Sequence, residues 1–172
     1  YTQLPQDVKV GERILLDDGK LSLDVISTNG INEIKAKVIY GGTLSSHKGV
    51  NLPNTKISLP SLTEKDREDL DFALSQNVDW LGLSFVRSAR DIIELKYLVA
   101  AKKAKAKIIA KIEKPEAVED IEAIVRESDA LMVARGDLGV EVPYQNVPLI
   151  QKMLINKGML HGKPVIVATQ MM

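Results

Sequence analysis

The chain has no cysteine and only two histidines, His47 and His161. Disulfides, thiolate metal sites and a histidine-rich zinc centre are thereby excluded, and any bound metal must be a hard, oxygen-ligated cation. Net charge is missing as well: 23 Lys and Arg balance 23 Asp and Glu. The basic footprint of a general nucleic-acid binder is therefore lacking. No apolar run approaches the roughly 20 residues that span a bilayer, and no signal peptide opens the chain. Neither nucleic acid nor membrane is expected as a partner, and the expected location is the cytoplasm.

What is present is an ordinary globular composition, 45% hydrophobic and 27% charged over 172 residues. That length suits one domain or two small ones and can bury a core. The chain opens on Tyr1 and closes on "VIVATQMM", an apolar run with nothing to cover it. A piece of a larger protein is expected, since a buried strand needs a neighbour.

Two halves differ in period. Over 1–58, "ERILLDDGKLSLDVIS" sets two apolar runs around the turn residues Asp17, Asp18, Gly19 and Lys20. Asn29-Gly30, the strongest short hairpin signal, separates a second pair of runs. Leu21, Leu23 and Val25, then Ile34, Ala36 and Val38, alternate with polar residues as on a sheet with one wet face. "SSHKGVNLPN" reads as loop. This half is expected to be a small antiparallel barrel or part of one.

Over 59–172 the period becomes helical and alternates with short apolar runs. Thr63 and Asp66, then Ser88 and Asp91, have the spacing of capping boxes, and Pro115 and Pro148 sit at helix starts. The runs 80–85, 107–112, 130–134 and 164–169 read as strands, one per βα unit. Strand–helix alternation at this pitch predicts a parallel sheet with right-handed crossovers. It is compatible with half of an eight-stranded barrel or with a small open sheet.

Every one of these strands ends in polar groups: Ser84 to Arg87, Lys111 to Lys114, Arg135-Gly136-Asp137, and Thr169-Gln170. Parallel strands share one carboxyl face, so Glu113 and Asp137 are expected there as neighbours. Lys111 and Glu113, two apart on a strand, point to one side, and Ile108, Ala110 and Ile112 to the other. Alone, Lys-x-Glu reads equally well as a structural ion pair. A second acid on the next strand end and a Gly-Asp backbone turn favour a functional site. Two carboxylates suit Mg²⁺ or Mn²⁺, which completes its shell with water and substrate oxygens. The amides of Gly136 and Asp137 can face an anion. "RGD" as an adhesion tripeptide does not suit a position directly after a buried strand.

At these residues the chain resembles pyruvate kinase. "IIAKIEKPEAVEDIEAIV" is similar to that family's active-site signature, and "SDALMVARGDLGVEVP" and "GKPVIVATQM" to its next two strands. "GERILLDDGKLSL", "HKGVNLP" and "LPSLTEKDREDLDFALSQNVDWLGLSFVR" are similar in order and spacing, so the likeness runs along the whole chain. It implies an α/β fold: a partial (β/α)₈ TIM barrel, about strands four to seven, over 59–172. Residues 1–58 would be part of a small all-β lid domain.

The resemblance further implies phosphoryl transfer from phosphoenolpyruvate to ADP, giving pyruvate and ATP, with Mg²⁺ or Mn²⁺ and K⁺. Lys111 then matches the lysine that stabilises the phosphoryl group, and Glu113 and Asp137 the divalent-metal ligands. Gly136 and Asp137 match the substrate-carboxylate turn, and Thr169 the threonine near the reacting enol. Ser84 matches a supporting or phosphate-side hydroxyl, and Lys48 a lid lysine reaching the nucleotide phosphates. The K⁺ ligands and phosphate-binding arginines would lie on strands this chain does not contain, in a homotetrameric parent. A metal-dependent aldolase of the phosphoenolpyruvate/pyruvate barrel group is the competing enzyme reading, although it needs no lid lysine. A truncated, non-catalytic piece is the third.

Overall fold

The computed structural model describes residues 1–58 and 60–169. The chain forms two compact units, Tyr1–Leu59 and Pro60–Met172.

The first unit opens with a one-turn helix, α1 (Leu4–Asp7), started by Pro5. Strands β1 (Arg13–Leu16), β2 (Leu21–Thr28), β3 (Ile34–Tyr40) and β4 (Val50–Asn51) follow. They form one antiparallel sheet in the order β3-β2-β1-β4. Val8, Ile14, Val25 and Leu52 make its small core. Three expectations are corrected here. The Asn29-Gly30 connection is not a two-residue turn: the Asn29 side-chain oxygen accepts the N–H groups of Ile31, Asn32 and Glu33, closing a longer loop. The strict alternation fails on β3, where Val38 and Tyr40 are exposed, because register shifts at Ser22/Leu23 and Val25/Ser27 break the period of two. Finally, the segment read wholly as loop contributes β4, which pairs with Leu15 and Leu16.

The second unit runs α2 (Glu64–Ser75), β5 (Trp80–Leu83), α3 (Ala89–Ala101), β6 (Lys107–Ile112), α4 (Pro115–Glu119), α5 (Ile121–Glu127), β7 (Ala130–Ala134), α6 (Arg135–Glu141), α7 (Val147–Leu160) and β8 (Val165–Ala168). The four strands are parallel and lie in sequence order, β5-β6-β7-β8. Local chemistry explains the boundaries. The Thr63 hydroxyl accepts the Asp66 N–H while the Asp66 carboxylate accepts the Thr63 N–H, the reciprocal cap predicted from spacing. Asp91 likewise accepts the N–H groups of Arg87 and Ser88. Gly162, at φ +63°, ends the last helix.

Ile108, Ala110 and Ile112 of β6 and Leu131 and Val133 of β7 are all 0–1% exposed, in one core with Ile92, Ile124 and Leu154 from the helices. The odd positions of β6 are thus left to face the other way, as the alternation predicts. Two readings change. The stretch after Pro115 is two short helices meeting at Asp120, whose carboxylate caps Ala89 N–H instead of continuing one helix. And Arg135-Gly136-Asp137 is not a loop but the first turn of α6, despite two glycines, because Leu138 is fully buried. Among the described residues no helix is long and apolar enough to cross a membrane.

Candidate active site

The carboxyl ends of β5 to β8 gather the groups singled out above. Lys111 is the fifth residue of β6 and opposes Met132 of β7. Its ammonium is held by two partners, Ser84 Oγ at 2.7 Å and Glu113 Oε1 at 2.8 Å. A quarter of its side chain stays exposed, whereas Glu113 is 1% exposed. The other Glu113 oxygen, Oε2, accepts the Phe85 N–H at 2.7 Å. That bond needs Phe85 at φ +52°, a left-handed conformation uncommon for a bulky residue. Phe85 was not singled out from the sequence, since a backbone donor leaves no residue-type signal.

A second cluster lies on the neighbouring strand ends. Gly136 N–H donates to Thr169 Oγ1 at 2.9 Å, and a Cβ at 136 would stand 3.1 Å from that oxygen. Glycine leaves room here for the close approach of the Thr169 hydroxyl. Thr169 itself has φ +57°. Arg135, also missed as a site residue, bridges the same ends: its Nε donates to the Ala168 carbonyl at 3.4 Å and its Nη2 to the Thr169 carbonyl. Asp137, in the first turn of α6, is exposed, and its carboxylate has no hydrogen bond or ion pair among the described residues. Gln170 lies outside the described residues.

Ser84, Lys111 and Glu113 therefore touch directly, Gly136 and Thr169 touch directly, and both groups share one edge of one sheet. β6 and β7 are adjacent, with Ile112 and Val133 register partners, and Glu113 and Asp137 follow the ends of these strands by one residue and by three. Lys48 belongs to the first unit, where its ammonium meets Asp17 Oδ1 at 2.9 Å. The hydrogen bond from Lys48 holds the Asp17 carboxyl below the usual range, and the same bond raises Lys48.

No three His, Cys, Asp or Glu side chains converge on a metal-sized point among the described residues. The donor set instead supplies two carboxylates, one buried and engaged, one exposed and unengaged. That fits magnesium, which takes one or two carboxylates and keeps several waters or substrate oxygens. Glu113 remains able to ligate, because each carboxylate oxygen has a second lone pair beyond those given to Lys111 and Phe85.

The family model described as "Pyruvate kinase, barrel domain" matches residues 1–172. The chain belongs to the pyruvate kinase family. Pyruvate kinase 2 of Synechocystis sp. is 51% identical over 173 residues, which is all of this chain and 29% of that protein. The pyruvate kinase of Geobacillus stearothermophilus is 51% identical over 174 residues, again all of this chain and 30% of the relative. That of Corynebacterium glutamicum is 50% identical, with 36% of its length covered. The chain spans about a third of the curated pyruvate kinases it matches. Membership removes the aldolase reading, and it gives the strand-end constellation a definite chemistry to be tested against.

Proposed function

We propose that this chain supplies the phosphoryl-transfer edge of a pyruvate kinase, which moves a phosphoryl group from phosphoenolpyruvate to ADP. The carrying observation is Lys111, a partly exposed ammonium fixed between Ser84 and Glu113 at the carboxyl edge of the parallel sheet. During transfer the bond from phosphorus to the enol oxygen breaks and a bond to the ADP terminal oxygen forms. Charge spreads over the three remaining phosphoryl oxygens, and a fixed cation there lowers the barrier without reorganisation. Lys111 is that cation. Ser84 and Glu113 hold it in place, and the Phe85 amide holds Glu113.

Glu113 and Asp137 would hold the divalent ion, Mg²⁺ or Mn²⁺, which when bound neutralises substrate oxygens. The Gly136-Asp137 turn at the start of α6 would take the substrate carboxylate through its Asp137 amide, since Gly136 N–H is given to Thr169 Oγ1, and Thr169 would stand beside the enol end. Lys48 serves the nucleotide phosphates from the first unit. The sheet in strict sequence order, with β5, β6 and β7 each followed by helix, supports an arc of a (β/α)₈ barrel over 59–172. The antiparallel unit, 1–58, is then the end of the lid domain. The K⁺ ligands, the cytoplasmic setting and the homotetrameric assembly belong to the same reading and to the whole enzyme.

The test is Lys111→Met in the full-length enzyme. Pyruvate formation is expected to fall about a thousandfold, as when a preorganised charge is removed. Binding of Mn²⁺, followed by its spin signal, is expected to persist, because the lysine acts on turnover more than on the ground state. Near-parental pyruvate formation would refute the assignment.

A further inference from the structure

Next to Glu113 lies a second charged pair that the phosphoryl-transfer scheme does not use. Lys114 Nζ stands 2.7 Å from Glu141 Oε1, and the two side chains are only 7% and 1% exposed. Burying two charges is expensive, and an apolar pair of similar volume often serves stability as well or better. The placement of the pair suggests what it does instead. Lys114 follows Glu113 directly, and Glu141 closes α6, the helix that carries Asp137. Asp137 and Glu141 are four residues apart, so they lie on the same helix face, one turn from each other. The pair thus ties the chain position after Glu113 to the α6 face that presents Asp137.

We propose that Lys114 and Glu141 are positioning residues that set the distance and orientation of Asp137 relative to Glu113, so that both carboxylates reach one divalent ion. Other restraints on α6 do not do this. Leu138, the next residue after Asp137, is buried without a polar partner of its own, and Gly136 is hydrogen-bonded toward β8 through Thr169. The Lys114–Glu141 pair joins the end of α6 to the residue two places beyond the end of β6. An ion pair is directional where an apolar contact is not, which suits it to registry. This inference rests on Glu113 and Asp137 being the metal ligands.

The test uses the full-length enzyme and Mn²⁺ as the probe. In Lys114→Met/Glu141→Leu the buried volume is kept and the tie is lost. The thermal midpoint is expected within a few degrees of the parent, while the Mn²⁺ dissociation constant rises about 10- to 100-fold, the usual effect of removing groups that orient metal ligands. Parental Mn²⁺ affinity in this folded variant overturns the proposal. Should the double variant not fold, Glu141→Asp decides: it keeps the charge but shortens the tie by one methylene and is expected to weaken Mn²⁺ at least severalfold, and unchanged affinity again overturns the proposal. Glu113→Gln and Asp137→Asn separate the underlying reading. If either leaves Mn²⁺ binding intact, the ligand assignment has failed, whatever the paired variants do.

Discussion

Gly158 shows how a single methyl group can outweigh helix propensity. It is buried near the end of α7, and a Cβ there would lie 2.2 Å from Val165 Cγ2 and 3.2 Å from the Lys163 carbonyl. Glycine to alanine inside a helix ordinarily gains about 1 kcal/mol. Here the clash falls on a β-branched side chain with few alternative rotamers, so Val165 cannot swing aside cheaply. Overpacking of this kind costs about 1–3 kcal/mol. The clash outweighs the propensity gain, and Gly158→Ala is expected to lower stability by up to about 2 kcal/mol in urea unfolding. A gain in stability would mean that α7 slides on β8 freely. At the site the crowding around Gly136 is milder, since a methyl there would press on the Thr169 hydroxyl by only a few tenths of an ångström.

Elements were legible wherever their signals were local. The Thr63 and Ser88 caps and the four apolar runs of β5 to β8 depend on residues within a few positions of each other, and they formed as read. Elements that rest on distant packing were not. The glycines of α6 argue for a turn, yet burial of Leu138 and the Gly136–Thr169 bond recruit them into a helix. The Lys114–Glu141 tie joins positions 27 apart, and its only sequence trace is a lysine directly after Glu113. Phe85 acts through its backbone N–H, and Arg135 through its guanidinium on two backbone carbonyls, contacts in which the partner carries no residue-type signature.

The α2 cap yields a test at this scale. The Thr63 hydroxyl and backbone N–H hold the Asp66 carboxyl below the ordinary range. A depressed carboxyl contributes stability above its unfolded-state pKa of about 4, and that contribution is lost as pH falls through the folded value. Thr63→Ala is therefore expected to cost about 1 kcal/mol at pH 7. The difference between parent and variant should shrink below about pH 4, in thermal melts run at both pH values. A difference that widens in acid would show that the pair is not what stabilises the helix start.

At the scale of the whole molecule, the sheet of the second unit has two strands with one partner each. Among the described residues β5 pairs only with β6, and β8 only with β7. Trp80 on one of these edge strands and Ile166 on the other are each 41% exposed. Open parallel edges of this kind invite pairing with another chain, whereas a closed barrel has none. The chemistry is divided in the same way. The chain holds the strand-end lysine Lys111, the carboxylates of Glu113 and Asp137 and the first turn of α6, and it covers about a third of its relatives. Phosphoryl transfer depends chiefly on positioning and charge neutralisation, so partial constellations lose rate steeply. The 172-residue chain alone, supplied with phosphoenolpyruvate, ADP, Mg²⁺ and K⁺, is thus expected to form no pyruvate above the protein-free blank. On the proposed ligand assignment, its Mn²⁺ binding should be weak and should fall further in Glu113→Gln, because both proposed ligands lie within this chain even where the reaction does not occur. Turnover in the ordinary enzyme range of about 1 to 1,000 per second would show that the strand-end groups described here suffice for the reaction by themselves.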